Sequence, residues 1–131
     1  MKLLLDTHIW LWGLLEPKRL SKRVARELGN PDNELWLSSI SVWELLVLAE
    51  KGRVELTEPA GAWAEKALAK AALIEAPVTH EVALETCKVE PKLRDPADRF
   101  LVATARVFGL TLVTADASVI RSEACRVLAN R

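Results

Sequence analysis

The sequence predicts an α/β fold, a three-layer α/β/α sandwich around a central parallel sheet of about four or five strands. Short apolar runs alternate along the chain with longer helical segments, as in sheets whose two faces are covered by crossover helices. Capping and turn residues separate these segments. No repeat, linker or low-complexity stretch breaks the order, so we expect residues 1–131 to form a single domain.

The first predicted strand is KLLL, residues 2–5, an apolar run that ends at Asp6. The segment THIWLWGLLEP after it predicts a helix, which Pro17 stops. SKRVARELGN predicts a second helix, with Ser21 as its N-cap and Gly29 at its end. A turn at PDNE then leads into the next strand.

In the middle of the chain, LWLSS is the second predicted strand. SVWELLVLAEKG is the helix after it, for which we predict Ser41 as the N-cap. An alanine-rich helix begins near Pro59 and leads to IEAP, a short extended segment. THEVALETCKVE then predicts a helix capped by Thr79.

The last third contains the strongest helix signal, DPADRFLVATARVFG. Asp95 is its predicted N-cap, Pro96 suits its first turn and Gly109 ends it. LTLVT is the next strand, DASVIRS a short helix, and CRVLA a last strand.

Acidic residues stand where these strands and helices meet. Asp6 and Asp116 each follow a strand, and Glu44 lies in the first helical turn after LWLSS. Asp98 lies in the first turn of the DPADRF helix, beside its cap Asp95. Ligands of parallel sheets bind outside the carboxyl ends of the strands. We therefore expect four or five carboxylates to meet at this edge.

A structural explanation exists for each acid taken singly, because helix N-termini favour carboxylates. Asp95 is a good cap, and Asp6 and Asp116 stand where they could cap the helices that follow them. SVWE fits a capping box in which Glu44 reaches back to Ser41. A non-catalytic binding module whose acids are only caps is therefore one alternative, and it should bind no Mn²⁺ above background in calorimetry.

Several acids gathered in one place repel one another and need compensation. Arg94 and Arg99 bracket the DPAD segment and could supply it there. The other natural compensator is Mg²⁺ or Mn²⁺, which prefers oxygen ligands. Zinc is less favoured because no soft ligand lies in these motifs, and Cys87 and Cys125 form no CxxC pair.

Four segments resemble, in order and at similar spacing, the four acidic motifs of the PIN domain, and more narrowly those of VapC-type toxins. They are LLLDTHIW, SSISVWELLVL, DPADRFLVATA and LTLVTAD. Together they run over nearly the whole chain. Each motif is weak alone, and their agreement in register is what makes the resemblance specific.

The resemblance implies a compact α/β/α ribonuclease that hydrolyses RNA phosphodiester bonds with water activated by Mg²⁺ or Mn²⁺. It assigns the catalytic and metal-binding roles to Asp6, Glu44, Asp98 and Asp116. Asp116 stands at the family's most variable acidic position. Asp95 belongs to the DPxDR form of the third motif and is assigned as a cap or a helper outside the metal ligands. A VapB-like antitoxin is the implied protein partner.

A phosphoryl-transfer domain is a second alternative, because phosphatases and receiver domains also place Asp after a first strand. The haloacid-dehalogenase type requires a second Asp two residues later, where this chain has His8. A receiver requires a Lys late in the sheet, and LTLVTAD offers none.

The formal net charge is zero, so an RNA partner must be held by a local basic patch. PKRLSKRVAR is the candidate, with an ordinary solvated helix face as its alternative. Zero net charge also permits self-association, and we expect a homodimer. The first apolar run is too short for a signal peptide and no later run could span a membrane, so we expect a cytoplasmic protein.

Four tryptophans lead to further expectations. Trp36 and Trp43 fit core positions near the sheet. Trp10 and Trp12 cannot both face the same way on one helix, so we expect one to be exposed, at a protein interface or as a platform for an RNA base. For His8, local packing is favoured over a catalytic role.

Overall fold

The structure, a computed structural model, describes residues 1–131 as five strands and seven α-helices. The strands are β1 (Lys2–Leu5), β2 (Glu34–Ser38), β3 (Leu73–Ala76), β4 (Thr111–Thr114) and β5 (Val127–Ala129). The helices are α1 (Thr7–Leu15), α2 (Lys22–Gly29), α3 (Ser39–Glu50), α4 (Ala60–Lys70), α5 (His80–Glu85), α6 (Pro96–Phe108) and α7 (Ala117–Ser122). Short 3₁₀ turns follow α1 at Pro17–Arg19 and α5 at Thr86–Lys88.

All five strands are parallel and lie in the order β3-β2-β1-β4-β5. The chain moves outward from β1 in one direction and returns to add β4 and β5 on the other side. The order therefore reverses between β1 and β4, the position where open α/β sheets bind their ligands. Asp6 continues the pairing there, since its N–H donates to the Val113 carbonyl at 3.0 Å.

The three leucines of β1 explain why the sheet has a layer of helices on each face. Leu3 and Leu5 belong to one hydrophobic core and Leu4 to the other, because side chains alternate along a strand. Leu3 and Leu4 are 0% exposed and Leu5 is 4% exposed. A strand buried on both faces is an apolar run rather than an alternating one, and the predicted α/β/α sandwich is confirmed.

The start of α3 differs from the sequence prediction. Its N-cap is Ser38, whose Oγ accepts the N–H of Ile40 at 3.1 Å. Ser41 lies inside the first turn and is fully buried, so the predicted cap at Ser41 is wrong. The difference arises because Ser38 ends β2 in an extended conformation and can begin the helix three residues earlier.

The exposure of one tryptophan also differs from expectation. Trp43 is 58% exposed, although its position suggested a core residue. Cys87 is exposed and Cys125 half-buried, and both are free. None of the seven helices combines the length and the hydropathy that a membrane span requires.

Candidate active site

A cavity of about 390 Å³ opens at the point where the strand order reverses, at the carboxyl ends of β1 and β4. All five predicted acids line it, together with four other residues. The lining residues are Asp6, His8, Trp12, Arg19, Glu44, Asp95, Asp98, Ala115 and Asp116. The expected meeting of the four motifs at one edge of the sheet is therefore observed, and we call this the acid cavity.

Asp6 is the most deeply placed of the five carboxylates, at 8% exposed. It occupies the N-cap position of α1, but its side chain makes no capping hydrogen bond. Instead, the buried hydroxyl of Thr114 donates to Asp6 Oδ2 at 2.6 Å. Burial raises the pKa of Asp6, and the hydrogen bond from Thr114 opposes that rise. The capping explanation is therefore wrong for Asp6.

Glu44 does not cap its helix either, because Ser41 is not the N-cap. Its Oε1 accepts a hydrogen bond from Thr7 Oγ1. Thr7 Oγ1 also lies 2.8 Å from Ser41 Oγ. A hydroxyl has one proton to donate, so Ser41 is the donor to Thr7 when Thr7 donates to Glu44. Burial raises the pKa of Glu44, and the nearby charges of Asp6 and Asp95 raise it further against the bond from Thr7.

Asp98 lies in the first turn of α6, half-buried, and its pKa is raised to about 7. Burial is the largest cause. The charges of the other carboxylates add to it in the order Asp95, Asp116, Asp6 and Glu44. Like charges raise a carboxyl pKa in this way only when they are close and not neutralised. The pKa of Asp98 therefore depends on the charges of all four other carboxylates of the cavity.

Asp95 and Asp116 act as helix caps, as predicted. Asp95 Oδ1 accepts the N–H of Ala97 at 2.9 Å. Asp116 Oδ1 accepts those of Ser118 and Val119 at 2.8 and 3.2 Å. The cavity thus combines two carboxylates that stabilise helices with three, Asp6, Glu44 and Asp98, that do not cap.

No basic side chain forms an ion pair with these acids. None of the ion pairs in the structure includes a carboxylate of the acid cavity, so the expected compensation by Arg94 and Arg99 is wrong. Arg99 is used elsewhere, because its guanidinium donates to four carbonyl oxygens of the segment before α6. These belong to Thr86, Val89, Glu90 and Leu93, at 2.6 to 3.3 Å.

The donor chemistry of the acid cavity fits a hard divalent cation. All the candidate ligand atoms are carboxylate oxygens, the type that Mg²⁺ and Mn²⁺ prefer. No three His, Cys, Asp or Glu side chains are gathered closely enough to ligate one ion as they stand. The arrangement therefore suits an ion that keeps several of its waters, as Mg²⁺ does, better than one held by four direct protein ligands.

The tertiary structure shows what four residues beside these acids contact. Thr7, the first residue of α1, and Thr114, the last residue of β4, each donate a hydrogen bond to a carboxylate. Trp12 is half-buried at the cavity wall, whereas Trp10 is only 4% exposed. His8 is exposed, with its ring 5.8 Å from that of Trp12. The i, i+4 spacing of these two rings was the available sequence signal.

A parallel sheet with helices on both faces and a cavity of carboxylates where the strand order reverses defines this protein as an α/β domain with an acidic site. A family model described as the PIN domain matches residues 3–123. The chain is 35% identical over 114 residues to Ribonuclease VapC22 of Mycobacterium tuberculosis, covering 86% of this chain and 85% of that protein. The chain therefore belongs to the PIN-domain family, and the resemblance drawn from the four motifs is confirmed.

Solved structures of similar fold include toxin–antitoxin complexes. VapBC2 from Rickettsia felis, bound to a DNA fragment from the promoter, gives a TM-score of 0.73 at 18% identity and covers 98% of both chains. DNA-bound VapBC from Salmonella typhimurium gives 0.72 at 21% identity, covering 100% of this chain and 99% of that one. Both support the same architecture over the full length.

Proposed function

We propose that this protein is a VapC-type toxin of a type II toxin–antitoxin pair, an endoribonuclease that depends on Mg²⁺ or Mn²⁺. The observation that carries the proposal is the acid cavity, in which three carboxylates without a capping role lie at the switch point of a PIN-domain sheet. The relative at 35% identity is a ribonuclease.

Asp6, Glu44 and Asp98 would hold the cation together with its bound waters, and Asp116 would contribute through the oxygen that does not cap α7. When bound, the cation supplies activation of the attacking water and stabilisation of the leaving 3′ oxygen. The lack of an ion pair at these acids supports this assignment, since a divalent cation relieves the repulsion that adds to burial in raising the pKa of Asp98.

The protein's own groups orient the carboxylates. Thr114 donates to one oxygen of Asp6 and so restricts the orientation of that carboxylate. Thr7, itself held beside Ser41, fixes Oε1 of Glu44. Ligands held by buried hydrogen bonds keep their geometry when an ion or phosphate arrives. No side-chain nucleophile is required by this proposal.

A VapB-like antitoxin is the proposed protein partner, and the proposed setting is the cytoplasm. An apolar groove of about 430 Å³ between α3, α4 and the edge strand β3 supports a protein partner. Its exposed wall includes Trp43, 58% exposed, and Leu46, 38% exposed. The predicted homodimer is tested by measuring the molar mass of the purified chain by light scattering.

The direct test of the nuclease is cleavage of RNA by purified protein with and without Mg²⁺ or Mn²⁺. Wild type should cleave only with the metal, and Asp6→Asn should be inactive while keeping its circular dichroism spectrum. Asp32→Asn is the matched control, because Asp32 is exposed and lies outside the acid cavity. Full activity of Asp6→Asn would overturn the proposal.

The two alternatives have less support. The capping explanation fails for Asp6 and Glu44, which weakens a purely structural role for the acids. The acid cavity contains no Lys, which a receiver site requires. Calorimetric titration with Mn²⁺ tests the alternative of a non-catalytic binding module, because a module without a metal site should show no binding above background.

A further inference from the structure

We propose that Trp12 and Arg19 form the wall of a nucleotide subsite beside the acid cavity, in which Arg19 binds an RNA phosphate and a second cavity takes the base of the flanking nucleotide. The inference rests on the proposed ribonuclease function. It concerns how a single strand is held next to the acids, not how the bond is broken.

Arg19 is the only Lys or Arg that lines the acid cavity. Five carboxylates around that cavity repel a phosphodiester, so a phosphate that approaches needs a cation at the rim. Arg19 lies with its Cζ 4.1 Å from the centre of the Trp12 ring. Glu16 accepts one bond from Nη1 at 3.3 Å, and the guanidinium has further N–H donors for phosphate oxygens.

The backbone of Arg19 is fixed although the side chain is exposed. The carbonyl of Arg19 accepts the Nδ2 amide of Asn130 at 3.0 Å. Oδ1 of Asn130 accepts the N–H of Ser21 at 2.6 Å. These bonds tie the 3₁₀ turn after α1 to the residue that follows β5. Arg19 is therefore held at the rim by contacts more than a hundred residues away in sequence.

Trp12 and Arg19 also line a second cavity, of about 370 Å³, so both residues belong to the linings of both cavities. His8 and Glu16 line it too, and Arg53 adds a positive charge. The remaining lining is apolar and consists of Leu11, Leu15, Leu48 and Val54. This combination of an indole ring, aliphatic side chains and a cation suits a nucleobase. Any of the four bases can stack on an aromatic ring, so such a cavity need not select one base.

The basic stretch PKRLSKRVAR thus contains one residue placed for this contact. Lys18, Lys22, Arg23 and Arg26 line neither cavity. The stretch as a whole is better described as a solvated face with Arg19 as its exception, which allows a test within one segment of like charge.

Binding of a short single-stranded RNA is measured by fluorescence anisotropy in the Asp6→Asn background with Mg²⁺, where no cleavage interferes. Arg19→Ala should weaken binding about tenfold and reduce the salt slope by about 0.7, the value for one phosphate contact on a single strand. Arg23→Ala removes the same charge from an exposed site outside both cavities and should leave the slope unchanged. Equal effects of the two substitutions would overturn the subsite.

The base-binding cavity is tested separately with Leu15→Trp, because the larger side chain reduces the volume of that cavity. Leu15 is 40% exposed, so the fold can accept the substitution. This variant should weaken binding of intact RNA about fivefold and leave unchanged the binding of an oligonucleotide abasic at the flanking nucleotide. Equal loss for both probes contradicts a base pocket. If the wild-type protein does not cleave RNA at all, the proposed function is wrong. If the wild type cleaves RNA but Arg19→Ala and Arg23→Ala weaken RNA binding equally, only this inference is wrong.

Discussion

The hydroxyl of Thr114 at the end of β4 donates to the carboxylate of Asp6 at the end of β1, at 2.6 Å and across 108 residues of sequence. Both residues are buried, and the adjacent parallel strands bring them together. The same Thr114 oxygen accepts the N–H of Asp116 at 3.1 Å. One hydroxyl therefore connects the first and fourth acidic motifs, and its removal has measurable consequences.

Replacement of Thr114 by Val keeps the shape of the side chain and removes this bond. Unfolding in urea should show a loss of about 1–3 kcal/mol, because a buried acceptor loses its donor. RNA cleavage should fall at least about tenfold, since a misplacement of a reacting group is costly. Thr104→Val is the control: Thr104 is equally buried but bonds only to the Phe100 carbonyl within α6. Wild-type cleavage by Thr114→Val would show that the bond does not position Asp6.

Capping of α3 and the role of Glu44 can be separated by two substitutions. Ser38→Ala should destabilise the protein by about 1 kcal/mol, the usual cost of losing an N-cap. Glu44→Gln should leave the free energy of unfolding unchanged or higher, because its charge is disfavoured by burial, while it abolishes metal-dependent cleavage. A loss of stability in Glu44→Gln similar to that in Ser38→Ala would restore the capping-box interpretation.

The raised pKa of Asp98 predicts how stability depends on pH without metal. Folding raises the pKa of Asp98 from its ordinary value of 3.8 to about 7, chiefly because the carboxyl group is buried. Between these values the folded state retains a proton that the unfolded state has lost, so the free energy of unfolding falls as pH rises through this window.

Asp98→Asn removes this contribution, so its melting temperature should decline less than that of wild type between about pH 4 and 7 and exceed it above that range. Asp32→Asn, at an exposed carboxylate outside the cavity, should follow the wild-type curve. If the melting temperatures of wild type and Asp98→Asn change with pH in parallel in metal-free buffer, the acids of the cavity do not raise the pKa of Asp98.

Metal binding should release protons, because a cation favours the ionised form of Asp98. Calorimetry of Mn²⁺ binding near pH 6.5, in two buffers of different ionisation enthalpy, measures that release. The number of protons released should be smaller in Asp98→Asn, and in wild type it should decrease as the pH rises above about 7. The melting temperature of wild type should rise with Mg²⁺ concentration by linkage. An ion that neither releases protons nor raises the melting temperature is not bound at this cavity.

Much of the fold and the membership of the acid cavity follow from the sequence. The apolar runs KLLL and LTLVT, their bounding acids and the signals Asp95, Pro96 and Gly109 are local, and local signals predicted β1, β4 and α6 correctly. The carboxyl ends of parallel strands share one edge, so the positions of Asp6 and Asp116 along the chain already implied that they would meet.

Only the tertiary structure decided what each acid does. Asp95 and Asp116 cap their helices, whereas Asp6 and Glu44 bond to hydroxyls from other elements. Arg99 binds carbonyls rather than acids and Arg19 reaches the cavity, and neither could be read from spacing along the chain. The physical reason is that hydrogen-bonding partners and charge compensation depend on which distant elements pack together, while helix, strand and turn signals depend on neighbours in sequence.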